Sequence, residues 1–300
     1  MGKALAEAFP ASARVFDEVD AALGEKLSKL IFEGPEAELT LTANAQPALM
    51  ATSLAALRAL EAEAGLDVSG AAYVAGHSLG EYSALCAAGS LTLTDTARLL
   101  RLRGTAMQQA VPAGEGAMAA ILGLDFEKVS AIALTAAREL YLTGAICEAA
   151  NDNGNGQVVI SGTRAAVERA MELAKGAGAR RALPLAVSAP FHCTLMTPAA
   201  EAMAKALAET TILAPRAPLV ANVTADAMTD PALIRESLVK QVTGAVRWRE
   251  SVTYMAAHGV TRFVEIGAGK VLAGLVKRIA EGASAISVGT PADVEVYKAH

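Results

Sequence analysis

Residues 71–90 have the sequence AAYVAGHSLGEYSALCAAGS, in which one serine lies between two glycines in the order Gly-His-Ser-Leu-Gly. The apolar run that ends at Ala75 predicts a buried strand, and the residues after Ser78 return to helical spacing. A Gly-x-Ser-x-Gly sequence between a strand and a helix is typical of a nucleophile elbow, a tight turn that presents the serine hydroxyl. We therefore predict an α/β fold in which Ser78 is a nucleophile; the alternative is a glycine-rich loop with a capping serine.

Strand and helix patterns on both sides of this segment extend the α/β prediction. Before it, the sequence predicts helices over 2–30 and 43–65, and after it a helix over 94–111 that Thr94 caps. Alternating strands and helices of this kind predict a parallel sheet covered by helices. The pattern resumes near the C-terminus, with helices over 196–209, 230–243 and 247–258 and from residue 270, and strands over 217–223 and 261–267.

The middle third of the chain has a different order, β-α-β-β-α-β, which is the ferredoxin-like pattern. We therefore expect a hydrolase-like parallel-sheet core, formed by a large α/β domain of residues 1–115 and 187–300, with an inserted ferredoxin-like α+β subdomain at residues 116–186. The predicted strands of the subdomain are 117–123, 145–151, 157–162 and 181–187, and its predicted helices are 125–140 and 163–178.

The composition narrows the possible classes of protein. Of the 300 residues, 53% are hydrophobic and 19% charged, and the formal net charge is −5. These values predict a large folded core and argue against broad binding to nucleic acid, which needs clustered basic charge. Three cysteines without metal-ligand spacing predict neither a disulfide framework nor a zinc site. The sequence shows neither a membrane-spanning run nor a signal peptide, so we expect a cytoplasmic protein.

A serine nucleophile needs a base, and the chain has four histidines. His77 adjoins the serine and should point away from it, His258 precedes a glycine at a predicted helix end, and His300 is the last residue. His192, in SAPFHCTLM, follows the point where the predicted subdomain rejoins the large domain. A loop that returns to the core there can approach the elbow, so elimination favours His192 as the base without deciding it.

Five segments carry a resemblance that covers nearly the whole chain: GHSLGEYSAL, RGTAMQQAVPAGEGAMAAILGL, NGQVVISG, APFHCTLMTPAAEAM and VEIGAGKVLAGLVKRI. Together they resemble the malonyl-CoA:acyl carrier protein transacylase family of fatty acid synthesis. The resemblance implies a catalytic dyad of Ser78 and His192. It also implies that the main-chain carbonyl at the position of Gln241 orients the histidine, and that the backbone amide of Leu79 is an oxyanion donor.

Three further residues match positions that the family uses for its substrate. Arg103 matches the arginine that binds the free carboxylate of the acyl group, and a guanidinium suits that role because it offers two parallel hydrogen bonds. Phe191 precedes the histidine, as in malonyl-selective domains, where a ring should crowd a branched acyl chain. Met107 is a candidate for lining the same pocket, although a methionine on a helix is more often part of the core.

The activity implied by the resemblance is a ping-pong transfer of malonyl from malonyl-CoA to the phosphopantetheine thiol of acyl carrier protein, through a malonyl-serine ester. No metal or redox cofactor is expected, because coenzyme A is the substrate's carrier, and we expect a monomer that contacts neither nucleic acid nor membrane. Acyl carrier proteins are acidic, so a basic docking surface is expected. The candidates are Arg164, Arg169, Lys175, Arg180 and Arg181, or else Arg235, Lys240, Arg247 and Arg249.

The sequence departs from the family at its beginning, which opens as MGKALAEAF instead of a strand and a Gly-Gln-Gly turn that supplies a second oxyanion donor. We therefore expect that this form is impaired in stability or turnover, because losing an oxyanion donor costs roughly 10²–10³ in rate.

Two alternative functions stay open. One is a serine esterase or thioesterase, for which Arg103 would have no use. The other is an impaired form that binds acyl-CoA or carrier protein without turnover.

Overall fold

Helices make up most of the first hundred residues of the computed structural model, which describes residues 1–299. The helix predicted over 2–30 is divided into shorter ones, because Phe9 is extended, Pro10 begins a new helix and Gly24 ends it in the left-handed conformation. The cap of α7 is Thr92, whose hydroxyl accepts from the amide of Asp95, and not Thr94 as predicted. The helices are α1 Lys3–Ala8, α2 Pro10–Leu23, α3 Leu27–Glu33, α4 Glu36–Leu39, α5 Thr42–Ala64, α6 Gly80–Ala87 and α7 Leu93–Gln109.

The middle third forms a four-stranded sheet with two helices packed against it. Its elements are β1 Gly116–Leu122, α8 Phe126–Glu139, β2 Cys147–Asp152, β3 Gln157–Thr163, α9 Arg164–Gly176 and β4 Arg181–Pro184. The strand order is β2-β3-β1-β4, and all three neighbouring pairs are antiparallel. Ile121 and Ile160 from the sheet and Val129 and Val167 from the helices are buried in one apolar cluster, because each strand and helix turns its apolar face inward.

The last hundred residues combine helices with short strands. Their elements are α10 Thr197–Glu209, β5 Leu219–Val220, β6 Ala227–Met228, α11 Pro231–Thr243, α12 Trp248–Ala257, β7 Arg262–Ile266, α13 Val271–Ile279, β8 Ser284–Val288 and α14 Pro291–Lys298. β7 pairs with β8 in parallel, whereas β5 pairs with β6 antiparallel. The sequence analysis did not predict β6, β8 or α14, although the capping box at Thr290 and Asp293 marks the start of α14.

The mixed α/β class is confirmed, but the predicted parallel sheet is less extensive than expected. The segment 71–75 contributes a single parallel bridge, between Val74 and Leu219. Val74 donates to the carbonyl of Pro218 and accepts from the amide of Val220, both at 2.9 Å. Pro218 has no amide hydrogen to extend this ladder. The bridge is short, yet it fixes the chain two residues before the Gly-His-Ser-Leu-Gly turn.

The largest buried cluster lies under that turn. Apolar side chains of α2, α5, α6, α7 and α10 pack together there, with Leu54 and Leu100 among the most deeply buried. α5 runs through the middle of this cluster and contacts both α2 and α7. Within residues 1–299, no helix is both long enough and apolar enough to cross a membrane.

Candidate active site

The Gly-x-Ser-x-Gly segment forms a tight turn immediately before α6. Ser78 has φ of 53°, in the left-handed region, and its amide donates to Oδ1 of Asn222 at 2.8 Å. A Cβ at Gly76 would overlap the backbone of Gly80, so only glycine allows the two arms of the turn to approach this closely. The turn therefore holds Ser78 in a strained conformation, as expected of a nucleophile elbow.

Ser78 and His192 are in direct contact, although 114 residues separate them. The serine hydroxyl lies 2.7 Å from Nε2 of His192, while Nδ1 of the same ring lies 2.9 Å from the carbonyl oxygen of Gln241. A carbonyl can only accept, so Nδ1 carries the proton and Nε2 presents a lone pair to the hydroxyl. This arrangement fits a serine activated by a base that a third residue orients.

The imidazole of His192 is neutral in this environment. Burial lowers its pKa to about 3, and the nearby positive charge of Arg103 acts in the same direction. A neutral ring can accept the serine proton at every pH near neutrality. A bound anion next to Arg103 would cancel part of the guanidinium charge, and it would thereby raise the basicity of His192 when substrate is present.

The other histidines occupy different surroundings. Nε2 of His77 lies 3.0 Å from Oδ1 of Asn153, and burial lowers the pKa of this ring. His258 stacks on Tyr254, with its Nδ1 2.8 Å from the tyrosine's carbonyl oxygen at the end of α12. Neither ring contacts Ser78, as the sequence analysis anticipated, and His300 lies outside the described residues.

Arg103 lies beside the dyad and is only 1% exposed. Its Nη2 donates to the hydroxyl oxygen of Ser78 at 3.1 Å and to Oε1 of Gln241 at 2.9 Å, while Nη1 donates to Oε1 of Gln46 at 2.7 Å. The guanidinium also lies over the ring of Tyr82, 5.7 Å from its centroid. None of these partners is a carboxylate, so the buried positive charge is available to an anionic ligand.

Gln241 contributes more than the main-chain carbonyl that the family resemblance implied. Its side-chain oxygen accepts from Arg103, as described above. Its Nε2 donates to the carbonyl oxygen of Ser78 at 2.9 Å and to Oε2 of Glu81 at 3.0 Å. One buried residue therefore contacts the histidine, the arginine and the serine turn.

The sequence analysis did not single out two buried residues of this site, Glu81 and Asn222. Oε2 of Glu81 accepts from the amide of Asn222 at 2.8 Å, and Nδ2 of Asn222 donates to the carbonyl of Gly76 at 2.8 Å. Burial raises the pKa of Glu81 to about 7. The signal was present, because Glu81 follows the turn within GHSLGE and a carboxylate in an otherwise apolar helix is unusual.

The remaining predicted residues lie around the dyad. Leu79 is the N-cap of α6, so its amide directly follows Ser78 at the start of the helix. Phe191 packs against a small buried cluster that includes Met118. Met107 is buried, and its sulfur lies 3.6 Å from Nε2 of Gln46, on the far side of the amide that holds the arginine.

Comparison with known proteins gives a consistent result over the whole chain. Residues 1–292 match the model of the acyl transferase domain family. The malonyl CoA-acyl carrier protein transacylase of Bacillus subtilis (strain 168) is 50% identical over 296 residues, which are 99% of this chain and 91% of that protein. The protein of the same description from Escherichia coli (strain K12) is 46% identical over 96% of this chain and 90% of its own length.

Solved structures agree with the sequence relatives. The acyl-carrier-protein-S-malonyltransferase from Bartonella henselae superimposes with a TM-score of 0.94 at 56% identity, covering 99% of this chain and 93% of that chain. A type II PKS acyl-carrier protein in complex with its malonyl-transacylase gives a match with a TM-score of 0.94 at 43% identity, covering 100% and 94% of the respective chains.

Proposed function

Since this chain belongs to the acyl transferase domain family, and within it to the malonyl CoA-acyl carrier protein transacylases, we propose that it transfers malonyl from coenzyme A to acyl carrier protein. The observation that carries this proposal is the contact of one hydroxyl, that of Ser78, with both His192 at 2.7 Å and Arg103 at 3.1 Å. The nucleophilic oxygen is thus in contact with both its base and a cation that can bind a carboxylate. The product supplies fatty acid synthesis.

In the first half of the reaction, Nε2 of His192 takes the proton of Ser78 as the serine oxygen attacks the thioester carbonyl of malonyl-CoA. The carbonyl oxygen becomes an oxyanion, for which the amide of Leu79 at the start of α6 is the proposed donor. The C–S bond then breaks, and the imidazolium returns its proton to the coenzyme A thiolate. The malonyl ester of Ser78 is left.

In the second half, the phosphopantetheine thiol of acyl carrier protein attacks the ester carbonyl. His192 takes the thiol proton and returns it to the serine oxygen as the ester bond breaks, which restores the free enzyme and leaves malonyl on the carrier. The hydrogen bond from Nδ1 of His192 to Gln241 holds the ring in one orientation in both halves, so that Nε2 is the nitrogen that takes and returns the proton. These steps use Ser78, His192 and Leu79 of this chain, with coenzyme A entering as part of the substrate.

Arg103 is the proposed binding residue for the malonyl carboxylate. That carboxylate is two carbon atoms beyond the thioester carbonyl, so a guanidinium 3.1 Å from the attacking oxygen is within reach of it. Gln46 accepts from Nη1 and Gln241 accepts from Nη2, so the two amide side chains fix the orientation of the guanidinium. For Phe191 and Met107 we propose that they shape the acyl pocket, with the phenylalanine ring disfavouring branched acyl groups.

We also propose a division of the chain into a hydrolase-like catalytic domain, residues 1–115 and 187–300, and a ferredoxin-like subdomain, residues 116–186. The separate apolar clusters of the two parts support this division. The parts meet beside the site, where Val246 bridges Asn151 and Arg249 forms an ion pair with Asp152 at 2.8 Å. Asn153, at the start of the loop between β2 and β3, contacts His77, the neighbour of the serine.

The carrier protein is proposed to dock beside this loop. An open cavity of about 460 Å³ is lined by Leu122, Asn155, Gln157, Arg180 and Arg278. Within residues 1–299, the guanidinium groups of Arg180 and Arg278 have no carboxylate partner. Arg169, by contrast, is paired with Glu139 and Glu172. The unpaired cations suit an acidic partner, and they favour the candidate cluster that contains Arg180 over the one that contains Arg247, whose charge is paired with Glu250.

The alternatives raised by the sequence are not favoured. A simple esterase has no use for a buried arginine at the nucleophile, and the relatives that match over nearly the full length are transacylases. The same relatives do not favour a form that only binds acyl-CoA or carrier protein. Monomeric state and cytoplasmic location stay predictions.

Intact-protein mass spectrometry after brief mixing with malonyl-CoA tests the proposal. The parent protein should gain one malonyl group, Ser78→Ala should gain none, and Arg103→Ala should be acylated roughly 10–100 times more slowly, because hydrogen bonds to a charged group contribute about 1.5–3 kcal/mol. The rate of acylation by acetyl-CoA, which lacks the carboxylate, should fall far less in Arg103→Ala. Release of free malonate without an adduct would instead identify an esterase.

A further inference from the structure

Glu81 is a buried carboxylate with no part in the steps above. It is 0% exposed, and within residues 1–299 no lysine or arginine forms an ion pair with it. Its Oε1 is buried without a hydrogen-bond partner among the described residues. Burying a carboxyl group in this way is costly for the fold, and groups held at such cost are concentrated at functional sites.

Oε2 of Glu81 accepts hydrogen bonds from two donors that belong to distant parts of the chain. The backbone amide of Asn222, after β5, lies 2.8 Å from it, and Nε2 of Gln241, in α11, lies 3.0 Å from it. An oxygen atom that receives two N–H groups fixes the distance between the segments that carry them. Glu81 therefore joins α6, α11 and the loop after β5 at one point.

Each of these two donors is in turn one contact from the reacting groups. Oδ1 of Asn222 accepts from the amide of Ser78 at 2.8 Å. The main-chain oxygen of Gln241 accepts from His192 at 2.9 Å, and its side-chain oxygen accepts from Arg103 at 2.9 Å. The nucleophile, the base and the carboxylate-binding residue are thus all positioned by partners of the same carboxylate.

We propose that Glu81 is a positioning residue of the transacylase, whose Oε2 holds Asn222 and Gln241 so that Ser78, His192 and Arg103 stay in register for the malonyl group. The proposal rests on the proposed function and adds a residue that acts through others. Loss of this acceptor would leave the carbonyl of Ser78 as the nearest acceptor of Nε2 of Gln241, so the amide would shift toward Ser78. Its side-chain oxygen would then move relative to the guanidinium of Arg103, which it accepts from at 2.9 Å. Preference for malonyl over acetyl should then fall together with the rate.

Three substitutions of Glu81 separate the acceptor from the charge. Glu81→Met keeps the length of the side chain but removes the oxygen acceptor. Glu81→Asp keeps the charge but withdraws the oxygen by one methylene. Glu81→Gln removes the charge but keeps an oxygen that can occupy the place of Oε2. Leu5→Ala, at the buried position of α1 and away from the site, is the matched control for loss of stability alone.

The measurement is the rate of acylation of Ser78 by malonyl-CoA and by acetyl-CoA, from rapid quenching and intact mass, together with the melting temperature of each variant. We expect the malonyl rate of Glu81→Met to fall about 10–100-fold, since misplacement by about 1 Å can cost 10²-fold. The malonyl-to-acetyl ratio should fall about tenfold. Glu81→Asp should change in the same direction, and Glu81→Gln should restore the ratio to within about threefold of the parent's.

Two results would overturn the proposal: a folded Glu81→Asp or Glu81→Met with the parent's ratio, or a Glu81→Gln that loses as much selectivity as Glu81→Met. If Glu81→Met does not fold, Glu81→Asp decides. Leu5→Ala should melt at a lower temperature with an unchanged ratio. Failure of the parent protein itself to gain a malonyl group would contradict the proposed function and not this inference.

Discussion

His192 and Glu81 should respond to pH in opposite directions, because burial shifts both away from their charged forms. The pKa of His192 is lowered from 6.5 to about 3, so acidification through that interval protonates the unfolded chain only and lowers stability. The pKa of Glu81 is raised from 4.5 to about 7, so the folded chain holds an extra proton between these values. Acidification through that second interval therefore raises stability, and the two effects offset each other where the intervals overlap.

Removing either group should therefore reveal the pH dependence of stability that the other group contributes. Glu81→Gln should lose about 3 kcal/mol more free energy of unfolding than the parent between pH 6.5 and pH 4.5. His192→Asn should instead gain stability relative to the parent over the same range. Asparagine is the suitable replacement because His192 has φ of 57°, a conformation that asparagine tolerates.

Urea unfolding of the three proteins at the two pH values measures these differences. Other carboxyl groups titrate equally in all three and cancel in the comparison. Parallel stability curves for parent and Glu81→Gln would show that the folded protein does not hold a proton on this carboxyl group.

At the scale of elements, the turn before α6 depends on one glycine. Gly76→Ala would place a methyl group against the backbone of Gly80, and backbone atoms cannot move aside as a flexible side chain can. We expect a loss of roughly 2–4 kcal/mol in stability and of serine acylation, because the elbow must open to admit the methyl group.

Gly70→Ala is the matched control, since Gly70 ends a short 3-10 helix, Val68–Gly70, and has open space around the position of a Cβ. Thermal melting and malonyl adduct formation should both stay close to those of the parent in this variant. Equal behaviour of the two alanine variants would mean that the turn has room that the structure does not show.

The sequence predicted most elements of the fold, because helix and strand periodicity is a local property. It placed α5, α8 and β3 within a few residues of their observed limits. It did not predict the division of the first helix at Phe9, which depends on one extended residue, or the brevity of the parallel pairing at Val74. Pro10 is a local signal for the break at Phe9, because a residue before proline disfavours the helical conformation. The length of the pairing at Val74 depends on how distant segments pack, and no local pattern records that.

The candidate site was predictable to the extent that motif and resemblance name individual residues. Ser78, His192 and Arg103 were identified, and the structure brings them together. Glu81 and Asn222 were not: the position of Glu81 in GHSLGE was a signal for its burial, but its role lies in a contact with Asn222 across 141 residues of chain. A buried polar residue shows its role only when its partners are known.

At the scale of the whole molecule, carrier docking should depend on the cavity that Arg180 and Arg278 line. Arg180→Glu and Arg278→Glu should each raise the KM for acyl carrier protein about 3–10-fold, more at low salt than at high salt, because interfacial charges act over a Debye length. The malonyl adduct formed from malonyl-CoA alone should be unaffected in mass and stoichiometry.

Arg169→Glu changes the net charge by the same amount at a position already flanked by Glu139 and Glu172, and it serves as the control. Its effect on the KM should be smaller than that of either cavity variant. A KM that responds equally to all three reversals would point to overall charge and away from a defined docking cavity.

The dyad joins residues 114 positions apart, and the carbonyl that orients the base lies a further 49 positions along the chain. Synthesis on the ribosome proceeds from the N-terminus, so the nucleophile emerges well before its activating partners. A nascent polypeptide therefore cannot assemble the dyad and its orienting carbonyl until Gln241 has been synthesised. A fragment that ends before Gln241 would lack the carbonyl that orients the base, so we expect it to be inert.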